Sequence, residues 1–406
     1  MRVTLSRHAR WLVPATAIAV TAGVVAAFAI PAAEASPVLP ARTPAQLLAE
    51  VSTDASTPPM TGTVVESTSL GLPQLPGINN PTSLASLLTG SHTVDVYYQD
   101  AKHFRLAIPS PAAETDIIRN AGTLWLWDSK SDSVTKYVLP TPTQTAKEAK
   151  GKTKKVQAKL PDTPTLTPQQ AANEVLKAVG KTTVVSLQSN VMIAGQASYQ
   201  LVLAPKDHRS LIGEVTIAID AQYGVPLRVQ VFAKGSSSPA FQVGYTNLQF
   251  VAPAAANFDF TPPPGATVTV ENLGTKEQAT GASGGSQSDL TGFGSYGNSW
   301  LTVVEVPSSD LVGGLANGGF IMSRNGGAAS QAPAANPGSG PGGVLAGDSQ
   351  AILNAILGSA KPVHGSWGSG TLVSTSLVSI LMTGNEVYIG AVQPSVLYAA
   401  VGHTSS

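Results

Sequence analysis

The sequence contains no cysteine. That excludes disulfides, thiolate zinc sites, iron–sulfur clusters, a cysteine nucleophile and the lipid-modified cysteine that anchors many bacterial envelope proteins. Charge is scarce as well, at 12% of residues, and 24 basic residues balance 24 acidic ones. With no net charge, no long-range field exists to recruit DNA, RNA or an acidic polymer. Aromatic residues make up only 6%, in an Ala/Gly/Pro-rich chain that is not a coiled coil. The 406 residues suffice for two ordinary domains, which must fold by burial alone. Only one stretch approaches the roughly 18 apolar residues of a membrane span, so a multi-span transporter is excluded.

That stretch is N-terminal. Arg2, Arg7 and Arg10 precede an uncharged run from Trp11 to Ala33, closed by Ala33-Glu34-Ala35. Residues 1–35 therefore read as a signal peptide cut before Ser36, or as an uncleaved single-pass membrane anchor. Either way the N-terminus stays in the cytoplasm and the remainder is extracytoplasmic: secreted, or held at the cytoplasmic membrane by that helix.

From Thr61 the pattern has period two. His92, Val94, Val96 and Tyr98 share one face of a half-buried strand. The alternation recurs at Phe104, Leu106 and Ile108, at Tyr199, Leu201 and Leu203, at Val215, Ile217 and Ile219, and at Leu227, Val229 and Val231. These predict a long antiparallel meander. Asp220 to Gly224 and Asp128 to Asp132 carry hairpin-turn chemistry. Helices are few. Thr43-Pro44-Ala45-Gln46 and Thr167-Pro168-Gln169-Gln170 each have capping-box chemistry, and Asn80-Pro81 opens a third short apolar segment, Leu84 to Leu88.

Many strands thus face little helix, and each strand has an apolar side that must leave water. A half-open barrel with a helical lid would leave a cavity for a hydrophobic ligand; a sheet that closes on itself or packs on another would leave none. Trp125 and Trp127 share a strand face and either pack in the core or line that cavity. Residues 141–166 form a Lys-rich insertion, in which Lys147 to Lys159 read as a solvated loop or as a contact for anionic headgroups at a membrane surface. Residues 273–299 form a Gly/Ser linker. Alternation restarts at Trp300, so residues 300–406 read as a small α+β domain with a flexible insert at 326–347. Within it, Ala351 to Leu357 look helical, and Gly370 to Val373, Leu377 to Met382 and Val387 to Gly390 look like strands.

Catalytic motifs fail on context. Gly281-Ala282-Ser283-Gly284-Gly285 lies in the linker, and Gly338, Gly340 and Gly343 have no strand leading in. Ser133 and Lys136 sit three apart in a strand and so point to opposite faces. His92, His103, His208, His364 and His403 are isolated, with no metal-ligand spacing and no cofactor motif. Asp95, Asp100, Glu114, Asp116, Asp128 and Asp132 are scattered, and only a fold could pair them. No enzymatic activity is expected.

Several segments, in order, resemble the LolA-like family of half-barrel lipid and lipoprotein carriers, which includes the RseB N-terminal domain and LppX/LprG-like proteins. They are Gly62-Thr63-Val64, Thr123 to Asp128, Tyr199 to Pro205, Val215 to Asp220 followed by Gly224 to Val229, and Phe258 to Ala266. The resemblance covers residues 36–272 as one domain. It implies an eleven-stranded antiparallel half-open barrel under helices, with an apolar cavity for acyl chains. The expected fold is α+β, mainly β, followed by the smaller C-terminal domain. The candidate cavity residues are Val94, Val96, Tyr98, Phe104, Leu106, Trp125, Trp127, Tyr199, Leu201, Leu203, Val215, Ile217, Ile219 and Val229. The expected function is binding of lipid or lipoprotein acyl chains. The alternative is an RseB-like envelope-stress or sigma-factor regulator acting through a protein contact of residues 300–406.

Overall fold

A computed structural model of the chain describes residues 36–52, 57–71, 89–110, 112–139, 167, 180–273, 294–308, 358 and 360–404. The N-terminal apolar run, the Leu84 to Leu88 segment, the Lys-rich insertion, the helix expected after Thr167, the insert at 326–347 and the segment 351–357 lie outside the described residues.

Two sheets carry the fold. The first has twelve strands in the order β12-β6-β5-β4-β3-β2-β1-β11-β10-β9-β8-β7. Its first six strands are β1 (Met60–Ser69), β2 (Thr89–Asp100), β3 (His103–Ser110), β4 (Ala113–Asn120), β5 (Thr123–Asp128) and β6 (Ser133–Val138). The next six are β7 (Thr183–Ile193), β8 (Gln196–Pro205), β9 (Ile212–Asp220), β10 (Pro226–Ala233), β11 (Pro239–Gln249) and β12 (Thr267–Asn272). The sheet is open, with β7 and β12 at its edges, as a half-open barrel requires.

It is not one meander but two. β1 to β6 and β7 to β11 each run consecutively, and antiparallel pairing of β1 with β11 joins them. Alternation sets which face each strand buries but not which strand it pairs with. A second difference is β12, which lies parallel to β6 with all six residues exposed. Eleven strands are antiparallel; the twelfth alternates at Thr267-Val268-Thr269-Val270, but alternation shows neither its exposure on both faces nor its parallel pairing.

The turns formed as their sequences dictate. The Asp220 carboxylate accepts the Gln222 and Tyr223 amides, and Gly224 takes the positive φ of 69° that the β9–β10 turn needs. The Asp128 carboxylate likewise accepts the Lys130 and Ser131 amides between β5 and β6. Helix α1 (Pro44–Ser52) has its expected capping box: the Thr43 amide donates to Gln46 Oε1 at 2.8 Å, and the Gln46 amide to Thr43 Oγ1 at 3.3 Å. Leu47 and Val51 of α1 join Leu201, Ile217 and Val243 in the main core.

The second sheet has the order β13-β14-β18-β17-β16-β15. Its strands are β13 (Gly294–Tyr296), β14 (Val303–Pro307), β15 (Lys361–Gly365), β16 (Gly368–Ser374), β17 (Ser379–Met382) and β18 (Glu386–Gly390). Helix α2 (Pro394–Thr404) packs Leu397, Ala400 and Val401 against Val303, Leu381 and Tyr388. Strand β13 lies within the stretch read as linker. With three residues, two of them Gly and Ser, it has too short a pattern to register; pairing with β14 makes it a strand. β15 and α2 likewise go beyond the strands and the helix expected for residues 300–406.

The second sheet closes one end of the first. Trp300 enters the main core, and its indole Nε1 donates to Thr183 Oγ1 at 2.7 Å. Leu377 packs with Leu70, Ala233 and Ala240. Ser210 bridges to Val392, and the Leu211 and Gln393 amides bond the Ala391 and Arg209 carbonyls.

Two stability outcomes follow. A Cβ at Gly62 would lie 2.5 Å from the Asn247 carbonyl oxygen on β11. Gly62→Ala is therefore expected to cost about 1–3 kcal/mol through displaced backbone at the β1–β11 seam. Trp300→Ala is expected to cost about 3–5 kcal/mol, although Trp300 belongs to the second unit by sequence. Denaturant titration of each variant measures both.

Candidate apolar binding face

Directly paired residues in a sheet share a face, so the register sorts the expected cavity residues. Val94, Val96 and Tyr98 pair with Val64, Gly62 and Met60 on β1, and Val96 and Tyr98 with Leu106 and Phe104 on β3. Across the seam Val229, Ile217 and Leu201 form one row, with Val215 beside Leu203 and Ile219 beside Tyr199. All twelve of these expected residues lie on the face that carries α1. Trp125 and Trp127 do not. They pair with Ile118 and Asp116, whose neighbours on β3 are Arg105 and Ala107, on the opposite face. Leu124 and Leu126 hold the helix-side positions instead, through Arg119 and Ile117. Alternation shows that two tryptophans share a face, but only register with β4 shows which one.

A strap formed by residues 250–266 covers the tryptophans. Phe260 lies 5.5 Å from Trp125 and 6.3 Å from Trp127, and Lys136 stands 4.9 Å over the Trp125 ring. Phe258 is buried 6.1 Å from the His103 ring, and Asn120 Nδ2 donates to the Phe258 carbonyl and to Asp259. The terminal aromatic-proline segment thus packs on the outside of the sheet, against the two half-buried tryptophans.

The helix-side face divides in two. Over β8 to β11 the chain covers it: Leu201, Leu203, Ile217 and Ile219 are fully buried and Val215 and Val229 nearly so. The stretch before α1 crosses there as well, since the Tyr199 hydroxyl donates to the Pro40 carbonyl at 2.8 Å and Asn190 to that of Pro37. Over β2 to β6 the face is more open. Tyr98, Phe104, Leu106, Leu126 and Tyr137 are each half-buried, beside buried Val96, Ile117 and Leu124. At the end away from the second sheet, the β7–β8 turn and the end of β11 enclose a groove of about 610 Å³, lined by Met192, Gln196, Asn247, Leu248 and their neighbours.

Two buried carboxyls stand out. Glu66 sits on the helix-side face opposite His92 and is 6% exposed. Burial pushes its pKa up, against the Thr68 hydroxyl that donates to it and the nearby His92. Asp116, on the outer face, is 4% exposed and receives Arg105 Nε at 3.0 Å and Nη2 at 2.8 Å, while Glu114 takes Arg105 Nη2 at 3.0 Å. Burial nonetheless raises Asp116 to about 6, with Glu114 adding to the effect. The same carboxylates hold Arg105 above its ordinary value, against its own burial. Desolvation outweighs attraction for the acid because Asp116 is the more deeply buried partner. Only register could bring Glu114 and Asp116 to one arginine. Ser133 and Lys136 do face opposite sides, toward Asp128 and Trp125. Among the described residues, no three His, Asp or Glu side chains converge as a metal site, and no helix is long and apolar enough to cross a membrane.

No family model and no curated protein matches the chain. Solved structures resemble it at low identity. The MucA/MucB complex of Pseudomonas aeruginosa is 12% identical over 88% of this chain and 95% of that one, with a TM-score of 0.36. A LolA superfamily protein from Nitrosomonas europaea is 11% identical over 54% of this chain and 99% of that one, at 0.21. A DUF1329 family protein from Desulfovibrio piger is 11% identical over 53% and 94%, at 0.20. The likeness is one of fold.

The Asp116 carboxyl sets a pH dependence. Its folded-state pKa of about 6 exceeds the unfolded value of about 3.9, so the folded protein holds the extra proton. Stability from this group is full below pH ~4 and is lost as pH rises through about 6. Asp116→Asn is expected to flatten the fall in unfolding free energy between those pH values, as read by denaturant titration at several pH values.

Proposed function

We propose that the chain is an exported, non-enzymatic carrier or sensor that holds the acyl chain of a lipid or lipoprotein on the helix-side face of its twelve-stranded sheet. The observation that carries this reading is the uneven cover of that face. Over β8 to β11 the chain seals it with Leu47 and Val51; over β2 to β6 a continuous row of Val96, Leu106, Ile117 and Leu126 keeps Leu106 and Leu126 only half-buried. Removing each methylene from water gains about 0.8 kcal/mol, so a long chain laid along this row binds without any reaction chemistry. The basic and apolar N-terminal pattern supports an extracytoplasmic location, by signal cleavage or by retention as an anchor.

A second reading, a regulatory protein contact through residues 300–406, is favoured by β15, an edge strand with four of five residues exposed. Free strand edges accept extended peptides. Because Trp300 and Leu377 are built into the first sheet, deleting the whole second unit would damage both functions. Substitutions in β15 separate them: a carrier still loads lipid, while a regulator loses its partner.

Leu201 and Ile217 are fully buried, so charges there report folding rather than uptake. The informative variant is Leu106→Glu with Leu126→Glu. It is expected to weaken uptake of a fluorescent fatty acid by roughly ten-fold or more, a factor worth about 1.4 kcal/mol, with the melting transition kept. Trp125→Ala, on the other face, should leave uptake unchanged. Equal uptake by the double variant and the wild type would remove this face from ligand binding.

A further inference from the structure

Near the end of the sheet away from Trp300, one transverse row of the helix-side face differs from the rest. Register places Met60, Tyr98, Phe104, Arg119, Leu124 and Tyr137 side by side across β1 to β6. Arg119 is the one cation in this row, flanked on both strands by apolar side chains. Its Nε is buried and has no hydrogen-bond partner. A buried guanidinium N–H without an acceptor is costly, because it has given up water and gained nothing in return. Two phenols, Tyr98 and Tyr137, stand two positions away on either side and are half-buried. The next row inward, Val96, Leu106, Ile117, Leu126 and Thr135, is apolar up to its last member.

We propose that Arg119 is the anchor for the anionic head of an acyl ligand, a carboxylate or a phosphate, whose hydrocarbon chain lies inward along Leu106, Ile117 and Leu126. The inference rests on the acyl-binding reading above and specifies the ligand class for that face. Guanidinium matches either anion with paired N–H donors, and an acceptor placed here satisfies the Nε that the folded chain leaves unpaired. Tyr98 and Tyr137 add neutral O–H donors that flank the head. Arg119 lies just before the β4–β5 turn, so the head faces the end of the sheet away from Trp300, and the chain crosses the strands one row further in. A cation amid apolar strand residues carries no sequence signature, because its row becomes visible only once five strand pairings are known.

The test compares hexadecanoate, monohexadecyl phosphate and hexadecanol binding to the full chain by calorimetry. The wild type is expected to bind one or both anions roughly ten-fold or more tighter than the alcohol. Preference for hexadecanoate points to a free fatty acid, and preference for the hexadecyl phosphate to a phospholipid-type head. Arg119→Gln should abolish the preference without lowering the melting temperature of the ligand-free protein, since it removes an unpaired buried donor. Arg119→Lys should retain part of the preference. Three results overturn the inference: equal affinity for anions and alcohol, a preference that survives Arg119→Gln, or competition by inorganic phosphate or acetate as strong as that by the amphiphiles. A melting temperature that falls in both Arg119 variants, with affinity ratios unchanged, would likewise assign Arg119 to structure alone. Failure of all three ligands to bind would instead remove the acyl-binding reading on which the inference stands.

Discussion

Everything in the larger sheet depends on the pairing of β1 with β11. Two meanders of ordinary hairpins meet there, and the contact is tight enough that Gly62 faces the Asn247 carbonyl with no room for a Cβ. The register shifts at Thr63 and Val64 and leaves Thr246 unpaired, its hydroxyl donating to the Thr63 carbonyl at 3.2 Å. A bulge of this kind adds local twist and lets a broad sheet curl instead of lying flat. Without the seam there would be two separate half-sheets, neither with enough apolar face to build the shared core that α1 joins.

Given one open sheet, the distribution of cover decides what each face does. The outer face of β3 to β6 is partly covered by the strap, in which Phe258 is buried and Phe260 packs on the half-buried Trp125 and Trp127. The helix-side face is sealed over β8 to β11 and left more open over β2 to β6. The half-buried apolar side chains of that face thus lie in the N-terminal meander, while the C-terminal meander supplies most of the fully buried ones. The buried carboxyls follow the same logic. Asp116 pairs with Trp127 and holds an arginine, yet its pKa is raised to about 6, because its burial outweighs the arginine's attraction.

The second sheet is less independent than a Gly/Ser stretch before it suggests. Trp300 shares the main core, Leu377 shares a small cluster with Leu70, and main-chain bonds tie residues 391–393 to the β8–β9 loop. Such contacts make one end of the half-barrel a joint product of both units. A change in the second sheet would therefore act on the same packing that closes one end of the larger sheet.

The sequence by itself determined the alternation within β1 to β3, β5, β6 and β8 to β10, the turns at Asp128 and Asp220 and the cap at Thr43, because these depend on residues within a few positions of one another. It also determined twelve of the helix-side positions. Tertiary structure alone decided that the meanders join at β1 and β11, that the exposed β12 runs parallel to β6, and that Gly294–Tyr296 is a strand. It likewise decided that the tryptophan pair faces out, that Leu124 and Leu126 face in, and that Arg119, Glu66 and the Arg105 cluster stand where they do. The physical reason is the period of a strand, which fixes alternation but not its phase relative to a partner. Phase comes from register, and register comes from contacts distant in sequence.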